Sequence, residues 1–224
     1  MTTSRTSTAD PSAGPARSSD PMSAAGLWCI AGASILMVGA IATAAIHSSV
    51  PAADLSYPYT PAVFRLTEVL WTFAHALMFI GAVGLTRSGL LGTARLGRIA
   101  GWIVLAGLAL IVPSELGFAF FATAADESTP SAVLGSAIGL SVVTAGLGFV
   151  LAGIASLRAG QWRGWGRYTP LLCGLFIFVV LLPAQIIRPS AYLWPVAGWS
   201  ACFILLGLAL YRQRPARGTA TQAS

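Results

Sequence analysis

Charged side chains are scarce in this sequence, and lysine is missing altogether. Only 9% of the 224 residues are charged, whereas 56% are hydrophobic. A soluble domain carries about 25% charged residues, because it must cover its surface in water. The composition therefore excludes an ordinary soluble domain and predicts that lipid is the solvent for most of the chain.

Residue types that build metal, haem and nucleophile sites are also few. The chain has two histidines and three cysteines, Cys29, Cys173 and Cys202, with no CxxC pair. A zinc site needs three or four ligands, and His47 and His75 are predicted to lie at different depths, which argues against a haem. No GxSxG, HExxH or phosphate-binding glycine loop occurs. We therefore expect no cofactor, no metal and three buried thiols.

All thirteen basic residues are arginines, and the formal net charge is +6. An excess of basic over acidic residues can indicate nucleic-acid binding. Here the arginines fall in short loops between apolar runs, which the positive-inside rule explains. We therefore expect the lipid bilayer as the main partner and no nucleic acid. The absence of lysine beside abundant Ala and Gly is typical of a GC-rich genome and favours a bacterial cell membrane.

Six apolar runs are long enough to cross a bilayer. Each has about 20 residues, which matches a hydrocarbon core of about 30 Å at a rise of 1.5 Å per residue. The runs are 24–46, 64–85, 99–121, 132–157, 168–187 and 192–211. They predict an all-α polytopic transmembrane bundle over 23–211, between a disordered tail over 1–22 and a basic tail over 212–224.

The first run has a competing interpretation as a signal peptide. Ala42, Thr43 and Ala44 could follow the apolar core of such a peptide. The segment before this run would be long for a leader, and small-residue triplets are common in Ala-rich helices. We therefore expect the first span to be retained.

The arginines also predict the orientation of the bundle. With the N-terminus inside, all arginines except Arg65 and Arg188 fall on the cytoplasmic side. The loop acids Asp54, Asp126 and Glu127 fall on the other side. We therefore predict a multi-pass protein of the cell membrane with both termini in the cytoplasm.

Two sequence patterns suggest how the spans pack. The second and fourth spans each end at an arginine loop, and the spans that follow contain Pro113 and Pro183. This likeness fits a parallel internal repeat, although any two membrane hairpins share such features. Small-xxx-small motifs predict close helix packing, above all in the uncharged fourth span; the glycines concerned are Gly97, Gly101, Gly135, Gly139, Gly146, Gly148 and Gly153.

Ionisable residues inside spans are the strongest functional candidates, because insertion scales give a mid-helix charge a cost of about 2.5–3.5 kcal/mol. The spans contain Glu68, His75 and Glu115, and Gln185 and Arg188 lie near the outer end of the fifth span. A rise of 1.5 Å per residue places Glu68, Glu115 and Gln185 at one level in the outer third of the bilayer, with His75 about 10 Å deeper. These five residues predict an outward-facing polar pocket that binds a ligand.

Structural pairing is the competing interpretation of the same residues. Glu68 could pair with Arg65 on its own helix, and Glu115 with Arg188. A neutral His75 could be satisfied by a hydrogen bond to Thr72 or to another helix. The residue pattern leaves both interpretations open.

We expect an integral membrane protein without enzymatic activity, which binds a lipid, a small ligand or a protein partner at this pocket. A small transporter or channel is the alternative, and an intramembrane enzyme is the weakest candidate. The inner halves of the spans lack charge, so the sequence shows no continuous polar path for a transported ion. Nothing in the pattern predicts an oligomeric state.

Overall fold

The computed structural model describes residues 21–46, 50–187 and 193–213. These residues are helical apart from their connecting loops, and they contain no β-strand. Six helices are long and apolar enough to cross a membrane. The prediction of an all-α bundle with six helices long and apolar enough to span a membrane is therefore confirmed.

The spans are built from seven α-helices. Four single helices form the first four spans: α1 (Pro21–Ala44), α2 (Pro61–Arg87), α3 (Arg95–Phe120) and α4 (Thr129–Ala159). The fifth span, Trp165–Ile187, contains a 3-10 turn (Trp165–Tyr168), α5 (Thr169–Phe176), a π-helical segment (Ile177–Leu181) and α6 (Leu182–Ile187). The sixth span is α7 (Leu193–Arg212).

Local sequence explains where several helices begin and end. Pro61 occupies the first turn of α2, where its missing N–H removes no helical hydrogen bond. Ser128 caps α4 by accepting a hydrogen bond from the Ser131 backbone N–H at 3.4 Å. The same helix ends at Gly160, whose φ of 62° is a left-handed conformation that glycine adopts without strain.

Each span packs against the spans before and after it, and the last packs against the first, so the six spans close into a ring. Small residues allow the closest approaches. A Cβ added to Gly26 of α1 would lie 2.6 Å from the Gly207 carbonyl oxygen of α7, and one added to Gly107 of α3 would lie 2.4 Å from the Ala145 backbone nitrogen of α4. α1 is thus an integral part of the ring.

The glycine prediction for the fourth span is correct in part. A Cβ added to Gly148 or Gly153 would overlap backbone atoms of the neighbouring spans. A Cβ added to Gly135 or Gly139 would meet no atom within 4 Å in the described part of the chain. The prediction of close packing is therefore wrong for this pair within the chain, because both glycines lie on a side of α4 that faces away from the neighbouring helices.

The fifth span is irregular one turn before Pro183. Proline has no N–H to donate to the carbonyl of Val179, and the wider π-helical turn over Ile177–Leu181 lies where that hydrogen bond is missing. By contrast, α3 stays α-helical through Pro113. The two hairpins of the possible repeat therefore differ at their prolines.

Aromatic side chains fill the middle of the ring. The Phe149 and Phe203 ring centroids lie 5.2 Å apart with the rings edge to face, and Trp199 meets Phe203 at 4.9 Å in the same geometry. The His75 ring extends this stack, 6.1 Å from Trp199. The interior is thus closely packed at this level.

The two ends of the bundle differ. At the cap end, the loop before α2 pairs with the loop before α4: the Leu55 N–H donates to Ala124 O at 3.1 Å, and the Asp126 N–H donates to Ala53 O at 2.8 Å. At the opposite end, which we call the arginine end, the loops and helix ends carry exposed arginines, among them Arg95 and Arg163. The loops of the cap end lie over the ends of α1, α2, α3 and α4.

Candidate functional site

The register of the α2–α3 hairpin determines which polar side chains can meet. Thr86 of α2 lies level with Gly101 of α3, since a Cβ on Gly101 would lie 2.9 Å from the Thr86 methyl group. From this level, His75 lies about 16 Å, Glu115 about 21 Å and Glu68 about 27 Å toward the cap end, at a rise of 1.5 Å per residue. Glu115 therefore lies between His75 and Glu68, and not at the level of Glu68 as predicted.

His75 and Glu115 form a buried hydrogen-bonded pair across this hairpin, which is an ion pair when the imidazole is protonated. His75 Nδ1 lies 2.8 Å from Glu115 Oε1, and the side chains are 6% and 4% exposed. Nδ1 also lies 3.2 Å from the Trp71 carbonyl oxygen. A carbonyl oxygen is an acceptor only, so Nδ1 carries the hydrogen and donates it. The expected alternative partner, Thr72, instead donates its hydroxyl hydrogen to the Glu68 carbonyl oxygen at 2.8 Å.

Each partner of the pair has a second polar atom that is buried and unsatisfied. His75 Nε2 and Glu115 Oε2 have no hydrogen-bond partner among the described residues, and the same holds for Trp199 Nε1 beside the His75 ring. Buried polar atoms almost always have partners. Because Nδ1 already carries a hydrogen, Nε2 of a neutral His75 presents a free lone pair, which can accept a proton.

Glu68 extends the cluster toward the cap end. Its side chain is buried, and its carboxyl group is close enough to Glu115 to interact with it electrostatically. On the cap-end side of Glu68, the Tyr59 hydroxyl contacts the Thr43 hydroxyl of α1. Burial and the nearby Glu68 charge raise the pKa of Tyr59, and a side-chain hydrogen bond with Thr67 lowers it. Tyr59 therefore joins the cap loop to the polar cluster.

Of the other predicted site residues, the structure describes only Gln185. Arg65 is exposed, and within the described ranges no ion pair joins it to Glu68. Gln185 is exposed, and Arg188 lies outside the described residues, as does His47. The three members that do meet are buried in the bundle rather than exposed on the wall of an open vestibule. The hairpin register and the paired cap loops explain this difference.

The three cysteines lie in one region of the fold, although they are far apart in the sequence. All three are buried free thiols, and Cys173 lies near both Cys29 and Cys202. They come from three different spans, so only the fold reveals their proximity. Among the residues that the structure describes, no group of three or more His, Cys, Asp or Glu side chains is arranged to hold a metal ion.

Comparison of the chain with protein-family models, with curated proteins and with solved structures finds no match. A function can therefore be inferred only from the membrane-like architecture and from the chemistry of the buried cluster.

Proposed function

We propose that the chain is a non-enzymatic multi-pass membrane protein that binds a small positively charged ligand, in the simplest case a proton. The site is the cluster of Glu68, His75 and Glu115. The observation that carries the proposal is the buried His75–Glu115 pair, in which each partner keeps one unsatisfied polar atom.

Charge balance within the cluster requires an additional positive charge. A protonated His75 and an ionised Glu115 neutralise one another, which leaves the Glu68 carboxyl group without a cationic partner among the residues that the structure describes, since Arg65 is exposed. An unpaired buried carboxylate costs several kcal/mol. Glu68 therefore holds a proton or a small cation when the cluster is at rest.

The location of Glu68 supports entry of the ligand from the cap end. Glu68 is the member of the cluster nearest that end, and the half-buried Tyr59 lies beside it. In the other direction, the described interior beyond His75 is lined by apolar side chains, which are Met78, Ala82, Leu85, Val104, Leu108, Phe149 and Phe203. An apolar interior disfavours a continuous ion path, so binding is favoured over transport.

Few other ionisable groups surround His75. Those on the packed elements are thiols and one phenol, and in the described residues they are Cys29 on α1, Cys173 on α5, Cys202 on α7 and Tyr59 on the cap loop. Thiols and phenols are neutral near pH 7. The protonation of His75, Glu68 and Glu115 therefore determines the charge of the site.

Proton release from purified protein tests the proposal. When the pH of a weakly buffered nanodisc sample is raised from neutral to alkaline, we expect Glu68→Gln to release fewer protons than the wild type, because the buried acid has been removed. The matched control is Glu127→Gln, which makes the same substitution at an exposed position of a cap-end loop. Equal release from the wild type and both variants would contradict the proposal.

We also propose that the arginine end faces the cytoplasm of a bacterial cell membrane and that both termini lie there. The support is the distribution of arginines between the two ends. A cysteine at Asp126 should then react with a membrane-impermeant maleimide added to intact cells, and a cysteine at Arg163 should not. The parent chain is the control, since its own thiols are buried. Labelling at Arg163 alone would reverse the orientation.

A further inference from the structure

A groove of about 1010 Å³ opens at the arginine end between α1 and α2. At its floor the two helices approach closely, since a Cβ added to Gly84 would lie 2.3 Å from the Ala25 Cβ. Its walls include Trp28 and Ile80, which are 50% and 42% exposed. The deep part of the groove is therefore apolar, and its surroundings within the membrane are hydrocarbon chains.

Two arginines from different parts of the fold line the rim of this groove. Arg87 comes from the last turn of α2, and Arg163 from the loop between α4 and the fifth span. Gln161 and Gln213 also line the groove, and no Asp or Glu lines it in the described part of the chain. The rim is thus positively charged and rich in hydrogen-bond donors.

We infer that this groove binds an anionic phospholipid. The guanidinium groups of Arg87 and Arg163 contact the phosphate of the headgroup, since guanidinium and phosphate form paired, charge-assisted hydrogen bonds. The acyl chains lie along the apolar wall formed by Trp28 and Ile80. Basic pockets between membrane helices bind anionic headgroups in this way. The site is separate from the His75–Glu115 cluster, which lies toward the other end of the bundle.

The inference rests on the combination of charge and shape, and not on arginine alone. Arg95 and Arg98 lie at the same end and are exposed, but neither lines the groove. A purely electrostatic attraction to anionic lipids would involve these two residues equally. The structure therefore offers an internal control with the same change in net charge.

Native mass spectrometry of the full chain, released from micelles that contain phosphatidylglycerol and phosphatidylcholine, tests the inference. We expect the protein to retain phosphatidylglycerol in preference to phosphatidylcholine. Arg87→Gln/Arg163→Gln should weaken phosphatidylglycerol binding roughly thirtyfold, at the interaction energy that is typical of an arginine near an anionic membrane surface. Arg95→Gln/Arg98→Gln should leave binding within about threefold of the wild type. Because all four arginines are exposed, we expect the variants to fold, which circular dichroism checks.

Several results would overturn the inference. Equal losses of phosphatidylglycerol binding in the two double variants would show general charge attraction. Equal retention of the two lipids would show that binding does not depend on the charge of the headgroup. Displacement of the lipid by an equal concentration of inorganic phosphate would indicate a free-phosphate site. Unchanged binding in Arg87→Gln/Arg163→Gln would show that the groove holds something else, such as the N-terminal segment that precedes Pro21.

Discussion

Replacing His75 with leucine should lower the free energy of unfolding by about 3–5 kcal/mol, because it strands Glu115 in the interior without its cationic partner. The leucine has a similar volume and fills the same space beside Trp199, so the loss reports the stranded charge rather than a cavity. Reversible unfolding in mixed micelles measures this free energy. Thr72→Val is the matched control, since the Thr72 hydroxyl bonds only to its own helix backbone in the described structure.

The double variant His75→Leu/Glu115→Leu should recover most of the loss. Removing both members of a buried pair leaves no orphaned charge, and apolar replacements of similar size are often neutral. Recovery would give a large coupling energy in the double-mutant cycle. Additive losses from the two single variants would contradict the ion pair.

A methyl group at Gly107 should also destabilise the protein, by about 1–3 kcal/mol, because it overpacks the contact between α3 and α4. The added Cβ would lie 2.4 Å from the Ala145 nitrogen and 2.7 Å from its Cα, and backbone atoms cannot turn aside as a flexible side chain can.

Gly135→Ala is the control for this substitution. A Cβ at Gly135 meets no described atom within 4 Å, and alanine is the better helix former by about 1 kcal/mol. We therefore expect Gly135→Ala to be neutral or stabilising in the same unfolding assay. If Gly107→Ala and Gly135→Ala lowered the free energy of unfolding equally, the loss at Gly107 would not report the close contact between α3 and α4, and the prediction would be wrong.

The six spans could be predicted from the sequence because their signal is local. A run of about 20 apolar residues must cross a bilayer as a helix, whatever its neighbours are. Glu68, His75 and Glu115 could be predicted as site candidates for the same reason, since each ionisable group inside a span is costly by itself.

The pairing of these residues could not be predicted, because it depends on the register of α2 against α3. A depth count from the predicted span ends places Glu115 at the level of Glu68. In the structure, Gly101 of α3 lies level with Thr86 of α2, and this register brings Glu115 to His75. Trp199 is far from His75 in sequence, and no spacing pattern relates the two. The glycine motifs do not predict which helix they contact, since a small-xxx-small pattern does not reveal which neighbour it faces.

The proton on Glu68 can be observed directly by infrared difference spectroscopy of the protein in nanodiscs. A protonated carboxyl group has a C=O stretching band that an ionised one lacks. At neutral pH we predict such a band in the wild type and in Glu127→Gln, its loss in Glu68→Gln, and its disappearance from the wild type as the pH is raised. Identical carboxyl bands in the wild type and Glu68→Gln at every pH would contradict the proposal that this buried cluster binds a proton.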